Sequence, residues 1–309
     1  MKYFIIFLLV LVFVLLIIAY ILFSQITKRK KSPNSNSALN KLLPKFLLDE
    51  KFLEKYVDWM KSLKYDYLTI KSFDNLDLHG CIIENAQPTD KWVIICHGYT
   101  GGINQSLVFA KKCYDLGFNI LMPEARGHGE SEGNSFGMGW LDRLDIIDWI
   151  KYLVNNDSNS KIILYGISMG ASSILMTLGE TLPKNIKLVI SDCAYSSAND
   201  EIKFLLKNVY HVPIFTLKLS SLMAKIRLGY SFEEADAIKQ VSKTNIPILY
   251  IHGNADKITP VETIDKLYDN TKSIKEKLVI ENAGHAESIF IDENLYWNTI
   301  KNFIAKNMQ

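Results

Sequence analysis

Ser168 lies at the centre of the pentapeptide GISMG (166–170), between an apolar run and a stretch with helical periodicity. Glycines on both sides of a serine permit a turn so sharp that the hydroxyl projects from the end of a strand. A serine hydroxyl is a poor nucleophile at neutral pH unless a base lies within hydrogen-bond distance. The pattern therefore predicts a nucleophilic serine if the chain also supplies a base and an acid.

Asp256 and His285 follow Ser168 along the chain, each shortly after an apolar run that reads as a strand. We interpret His285 as the general base and later the general acid, and Asp256 as the carboxylate that orients its imidazole. His128, in the segment RGHG, competes for the role of the base. Asp192, directly after another predicted strand, competes for the role of the acid.

A carbonyl attacked by serine develops an oxyanion, which backbone N–H groups stabilise. We expect these donors to be Met169, at the start of the helix after the serine, and Tyr99, which follows His97-Gly98 at the end of an earlier strand. This chemistry requires no metal and no organic cofactor. The four cysteines lack the C-x-x-C spacing of a zinc site or a redox pair.

Strand-like and helix-like segments alternate from residue 67 to the C-terminus. Continuous apolar strands separated by amphipathic helices predict a mostly parallel sheet covered on both faces. The first two strands flank the turn Asp74-Asn75 and form an antiparallel hairpin, which makes eight strands. Residues 194–245 interrupt the alternation and predict a helical lid over the strand ends. The predicted strands are 67–73, 78–83, 92–96, 119–122, 161–165, 187–191, 247–251 and 277–280.

Residues 3–23 form an apolar run long enough to cross about 30 Å of hydrocarbon as a helix. A cleaved signal peptide is the alternative, but its apolar core is usually about 7–15 residues and ends at small residues. We therefore predict a transmembrane anchor over 1–27, a polar linker over 28–43 and one folded body over 44–309, which opens with an amphipathic helix over 44–63. The cluster Lys28, Arg29, Lys30 and Lys31 places that body in the cytoplasm by the positive-inside rule.

Five segments together resemble the α/β-hydrolase superfamily: HGYTGG (97–102), PEARGHGES (123–131), GISMG (166–170), HGNADKITP (252–260) and AGHAES (283–288). The resemblance implies an α/β-hydrolase fold with a Ser168, Asp256, His285 triad. It favours Asp256 over Asp192 and gives His128 a structural role. Within the superfamily the chain is similar to membrane-anchored bacterial hydrolases related to serine aminopeptidases and monoacylglycerol lipases.

The sequence thus predicts a single-pass membrane serine hydrolase acting on carboxylic esters, with a small-molecule or lipid-like acyl substrate. An aminopeptidase or amidase is the alternative, and would need acidic side chains near the lid; Glu233, Glu234 and Asp236 are candidates. A non-catalytic binding protein of the same fold ranks last, because every triad member is present. A net charge of +2 gives no basic excess for nucleic acid.

Overall fold

An eight-stranded sheet forms the centre of the molecule, and the computed structural model describes residues 1–29, 42–44 and 49–308. The strand order is β1-β2-β4-β3-β5-β6-β7-β8. The pairs β1–β2 and β2–β4 are antiparallel and the other pairs are parallel, which confirms the predicted mostly parallel sheet with an opening hairpin. The strands are β1 Tyr65–Lys71, β2 Asp77–Ile83, β3 Lys91–Cys96, β4 Asn119–Pro123, β5 Lys161–Ile167, β6 Ile186–Asp192, β7 Ile248–Gly253 and β8 Lys275–Ile280.

The central strands are apolar after their first residue because helices cover both faces of the sheet. In β5, Ile162 and Leu164 join one apolar cluster, whereas Ile163 and Tyr165 point to the other. The helices that follow the N-terminal one are α2 Glu50–Lys61, α3 Ile103–Asp115, α4 Asp142–Asn156, α5 Met169–Thr177, α6 Ala198–Asn208, α7 Phe215–Leu228, α8 Ala237–Val241, α9 Glu262–Asn270, α10 Ser288–Ile291 and α11 Glu293–Asn307.

The first body helix is shorter than the sequence predicts. The predicted helix over 44–63 is observed as α2, which begins at Glu50 because the Asp49 carboxylate accepts hydrogen bonds from the first backbone N–H groups, that of Lys51 at 3.0 Å. Residues 45–48 lie outside the described part of the chain. Leu53 and Met60 of α2 are buried against the body, as the apolar stripe predicted.

Three helices, α6, α7 and α8, fill the interval between β6 and β7 where the sequence predicts a lid. The start of α6 is fixed by Ser197, whose hydroxyl accepts a hydrogen bond from the Asp200 N–H at 3.0 Å. α7 ends at Gly229, whose left-handed backbone stops the helix. α6 packs against α7, whereas α8 packs against the helices α5 and α9.

The N-terminal helix α1, Lys2–Thr27, is long and apolar enough to cross a membrane. Residues up to Ile18 are exposed or partly exposed, but Ala19, Phe23 and Thr27 are buried against the rest of the protein. Because residues four apart share one face of a helix, these three form a single docked stripe. The stripe packs against α7, where Ser220 donates a hydrogen bond to the Ala19 carbonyl at 3.3 Å.

The chain stays bound to the body beyond the end of α1. The Phe136 N–H donates to the Thr27 carbonyl at 2.6 Å, and the Arg29 N–H donates to the Asn134 carbonyl at 3.0 Å. The Arg29 guanidinium also donates to the Ser131 carbonyl at 2.8 Å. Lys28 and Arg29, which the prediction assigns to the linker, are therefore held against the body. The stretch 30–41 of that linker lies outside the described residues.

Candidate active site

The turn that carries Ser168 has no room for larger residues on either side. A Cβ on Gly166 would lie 2.3 Å from the Ala171 Cα, and one on Gly170 would lie 2.1 Å from the Cys96 carbonyl oxygen. Ser168 itself adopts a φ of +54°, a conformation that L-residues rarely take. The close approach of β5, α5 and β3 thus explains both glycines, and a strained backbone presents the serine hydroxyl at the strand end.

Ser168, His285 and Asp256 form one hydrogen-bonded line. The Nε2 atom of His285 lies 2.7 Å from the Ser168 Oγ, and its Nδ1 lies 2.7 Å from the Asp256 Oδ2. With an ionised Asp256, Nδ1 carries the proton and Nε2 accepts the hydrogen bond of the serine hydroxyl. The geometry is that of a nucleophile, a base and an orienting acid, brought together from the ends of β5, β7 and β8.

Asp256 is held ionised by several donors. Its Oδ1 accepts hydrogen bonds from the backbone N–H groups of Ile258 at 2.8 Å and Thr259 at 2.9 Å. Its Oδ2 also lies 3.3 Å from the Nε2 atom of His252. Burial on its own would raise the pKa of Asp256, but the neighbouring imidazoles, His285 above all, outweigh burial and hold this pKa well below its usual range.

His285 is almost completely buried. Burial opposes the charged form of its ring, but the Asp256 carboxylate at 2.7 Å favours that form and raises the pKa of His285 above its usual value. The raised pKa strengthens the imidazole as a base toward the serine hydroxyl. The same carboxylate would stabilise the imidazolium if the ring took the hydroxyl proton.

The two competing residues take other positions. Asp192 accepts a hydrogen bond from the Tyr296 hydroxyl at 2.7 Å, and burial raises its pKa to about 6. The His128 ring nitrogens contact the carbonyl oxygens of Tyr99 at 2.7 Å and Arg126 at 3.1 Å. The carboxylate beside the His285 ring is therefore that of Asp256, and His128 braces the loop that carries Tyr99.

That loop lies directly beside the serine. A Cβ on Gly98 would lie 3.3 Å from the Ser168 Cβ, so the backbone at 98–99 passes close to the hydroxyl. Burial lowers the pKa of His97 to about 3, and its neutral ring accepts the Ala125 N–H at 3.0 Å through Nε2. Met169 begins α5, whose N-terminus carries a partial positive charge. Tyr99 and Met169 thus flank the hydroxyl, where the sequence predicts the two oxyanion donors.

A cavity of about 640 Å³ opens from Ser168 and His285. Such a volume and a mostly apolar lining are typical of small-molecule sites. Its walls include residues 97–101, which we call the oxyanion loop after its predicted role, the helix α6 with the segment after it, and the end of α1. Apolar lining side chains include Leu22, Ile26, Met138, Ile202, Leu205, Leu206, Val212 and Ile258.

Among the residues that the structure describes, one carboxyl group lines this cavity. Glu201 of α6 is buried, and its Oε1 accepts a hydrogen bond from the Thr259 hydroxyl at 3.0 Å. The acidic residues that the sequence suggested for an ammonium site make other contacts, away from the cavity. Glu233 accepts from Ser221, Glu234 pairs with a lysine and Asp236 caps α8, and none of them lines the cavity.

Sequence reasoning missed Glu201, and it missed the contribution of α1 to the cavity. Ala198, Glu201, Ile202 and Leu206 are buried on one face of α6, so a charged residue at a core spacing was the available signal for Glu201. No comparable signal existed for α1, because nearly every position up to Phe23 is apolar and the docked face resembles the exposed faces.

Comparisons with known proteins agree with this architecture. A family model described as alpha/beta hydrolase fold matches residues 91–215. This match and the order of the strands show that the chain has the α/β-hydrolase fold. They confirm the predicted fold and the predicted class of enzyme, a hydrolase. An esterase of Pyrococcus furiosus, Pf2001, aligns with a TM-score of 0.65 at 24% identity, over 80% of this chain and 92% of that one, a likeness in fold.

Two curated relatives cover most of this hydrolase. The uncharacterized protein YqkD of Bacillus subtilis (strain 168) is 28% identical over 218 residues, 70% of this chain and 72% of the relative. The uncharacterized membrane protein YNL320W of Saccharomyces cerevisiae is 24% identical over 249 residues, 80% of this chain and 81% of the relative. The similarity therefore extends well beyond the matched family segment.

Proposed function

We propose that the protein hydrolyses carboxylic esters through an acyl-enzyme on Ser168. The observation that carries this proposal is the line of two 2.7 Å contacts from the Ser168 Oγ through the His285 ring to Asp256, opening onto an apolar cavity. A complete nucleophile, base and acid also argue against a binding protein that retains only the fold.

In the acylation step the Ser168 Oγ attacks the ester carbonyl while His285 Nε2 takes the hydroxyl proton. The carbonyl oxygen becomes an oxyanion between the backbone N–H groups of Tyr99 and Met169. The tetrahedral intermediate collapses by breaking the bond to the alkoxy oxygen, which leaves as an alcohol with the proton from His285. The acyl group stays on the serine as an ester.

In the deacylation step His285 takes a proton from a water molecule, whose oxygen attacks the acyl-enzyme carbonyl. The second tetrahedral intermediate uses the same oxyanion donors. It collapses by releasing the serine oxygen, which recovers its proton from His285. The products are a carboxylic acid, an alcohol and the unchanged enzyme.

An aminopeptidase of the same fold is the second candidate, and Glu201 is the observation in its favour, since a carboxyl group in the cavity is suited to a peptide ammonium. Burial raises the pKa of Glu201 to about 8, so the carboxyl is mostly protonated at neutral pH. A neutral carboxyl among apolar walls suits an uncharged ester better than a cationic amino terminus.

α1 serves as a single-pass membrane anchor in this proposal. Its length of about 39 Å exceeds the hydrocarbon thickness, and nearly all of its exposed residues are apolar. The basic cluster at 28–31 orients the body toward the cytoplasm. Reporter fusions at the C-terminus test this orientation.

The Ser168→Ala variant tests the chemistry. We expect kcat/KM for p-nitrophenyl esters to fall about 10⁶-fold, because the nucleophile, base and acid act as a unit. Labelling by a fluorophosphonate is expected to disappear as well, with the thermal unfolding temperature unchanged. Undiminished hydrolysis or labelling would contradict the proposal. Faster cleavage of aminoacyl p-nitroanilides than of p-nitrophenyl esters by the native protein would favour the aminopeptidase.

A further inference from the structure

The end of α1 contributes side chains directly to the cavity. Leu22 and Ile26, four residues apart on one face of the helix, line the cavity together with Ser168. The docked stripe of Ala19, Phe23 and Thr27 lies on an adjacent face. α1 is thus attached to the body by one face and forms a wall of the cavity with the next.

The position of this wall is fixed relative to the catalytic residues. The Tyr99 hydroxyl donates a hydrogen bond to the Ile26 carbonyl at 2.7 Å, so the oxyanion loop and α1 are joined directly. On the side of α1 that faces α7, Ser220 and Ala224 of α7 are small and buried, which lets α1 and α7 approach closely. Contacts from two sides therefore hold Leu22 and Ile26 in the cavity wall.

The same two helices carry the apolar outer surface of the protein. Phe215, Leu222 and Ile226 of α7 are 58%, 53% and 66% exposed. The part of α1 before the docked stripe, residues 2–18, spans about 25 Å at the helical rise, close to the thickness of a hydrocarbon core. With that part in a bilayer, the lid and the cavity lie at the membrane surface.

We infer that α1 is a specificity-determining element as well as an anchor: Leu22 and Ile26 contact the acyl chain of a long-chain ester that reaches Ser168 from the membrane. The inference rests on the proposed esterase function and names its substrate class. A long acyl chain is favoured because each methylene that it buries adds to its binding, and this cavity offers apolar side chains from both α1 and the lid.

The Ile26→Trp variant tests this wall, and Ile17→Trp is its matched control. Both change the same residue type on the same helix, but Ile17 is exposed and lies outside the cavity. The Ile26 carbonyl that binds Tyr99 is backbone and remains in the variant. The indole fills space next to Leu22, where the distal part of a long chain would lie.

The measurement is the rate of labelling of Ser168 in the full-length protein, in nonionic detergent micelles, by an ethyl and by a dodecyl fluorophosphonate. We expect Ile26→Trp to lower the dodecyl rate at least tenfold and the ethyl rate less than threefold, whereas Ile17→Trp leaves both rates unchanged. Equal rates in Ile26→Trp and the native protein, or equal loss with both probes, would overturn the inference. These outcomes leave Ser168 labelled and the proposed function intact.

A second measurement tests binding in the cavity independently of the reaction at Ser168. In the Ser168→Ala background, we expect Ile26→Trp to weaken binding of a fluorescent dodecanoate at least tenfold, and Ile17→Trp to leave it unchanged. Identical affinities would refute the acyl-chain wall even if native Ser168 resists every fluorophosphonate. That resistance would by itself contradict only the proposed esterase chemistry.

Discussion

The floor and the roof of the cavity are built in different ways. The floor, made of Ser168, Asp256 and His285, comes from the ends of parallel strands, and a strained turn and backbone hydrogen bonds hold it. The roof, made of α1 and the lid helices α6 and α7, is held mainly by side-chain packing. Changes in the floor are therefore expected to alter the chemistry, and changes in the roof to alter substrate choice and stability.

The largest effect is expected in the floor. Asp256→Asn lowers kcat/KM for a short ester about 10⁴-fold, because the amide no longer fixes the tautomer of His285 or stabilises its imidazolium. Asp192→Asn is the matched control and should lie within about threefold of the native value, since its oxygen can still accept from Tyr296. The measurement is kcat/KM for p-nitrophenyl butyrate in both variants and in the native protein. A larger loss of kcat/KM in the Asp192 variant would mean that Asp192, at the end of β6, is the orienting acid.

A smaller effect is expected where the roof touches the floor. Tyr99→Phe removes the hydrogen bond to the Ile26 carbonyl, a contribution of about 1 kcal/mol, and lowers kcat about fivefold by loosening the oxyanion loop. Tyr195→Phe changes another residue that lines the cavity and removes a buried hydroxyl that has no hydrogen-bond partner among the described residues. It should leave kcat unchanged. Similar kcat values in the two variants would show that the hydrogen bond between Tyr99 and α1 does not position the oxyanion loop.

The smallest effect concerns stability alone. Burial raises the pKa of Glu201 from 4.5 to about 8, so the unfolded chain loses this proton at lower pH than the folded protein does. Native stability should therefore fall as pH rises from 4.5 to 8, and a glutamine at this position escapes that loss. We expect the unfolding temperature of Glu201→Gln to match the native value at pH 4.5 and to exceed it by at least about 2 °C at pH 8.

The control for this prediction is Glu234→Gln on the lid surface. Hydrogen bonds from Lys225 lower the pKa of Glu234, so the amide brings no gain at alkaline pH. Calorimetry of both variants from pH 4.5 to pH 9 checks the sign. An unfolding temperature of Glu201→Gln that falls relative to the native protein as pH rises would mean that Glu201 is ionised in the folded state.

The floor could be predicted from the sequence and most of the roof could not. Ser168, Asp256 and His285 each follow an apolar strand. Because the carboxyl ends of parallel strands meet at one edge of a sheet, their places in the chain were enough to predict that the three residues lie close together. The glycines of the turn are required by close backbone contacts, which leave a local pattern in the sequence. Strand and helix positions followed from apolar periodicity, with small errors at ends such as that of α2.

The roof depends on contacts between segments that are far apart in the chain and carry no local mark. The prediction treated residues 1–27 as separate from the body, because a helix that is apolar on nearly every side shows no periodicity that would indicate a docked face. The contact of Ser220 with Ala19 spans 201 positions, and small residues on a lid helix indicate close packing without naming the partner. Glu201 differs, since its core spacing in α6 was a usable local signal, and only its partner Thr259 in another segment was out of reach.

The hydrogen bonds that join Thr27 and Arg29 to the segment 131–136 also limit how this enzyme can be prepared. A soluble fragment that begins after residue 29 would lose Leu22 and Ile26 and leave one side of the cavity open to solvent. The buried face of α7 would be uncovered at the same time, which favours aggregation. Assays on such a fragment would report an enzyme with altered chain-length selectivity.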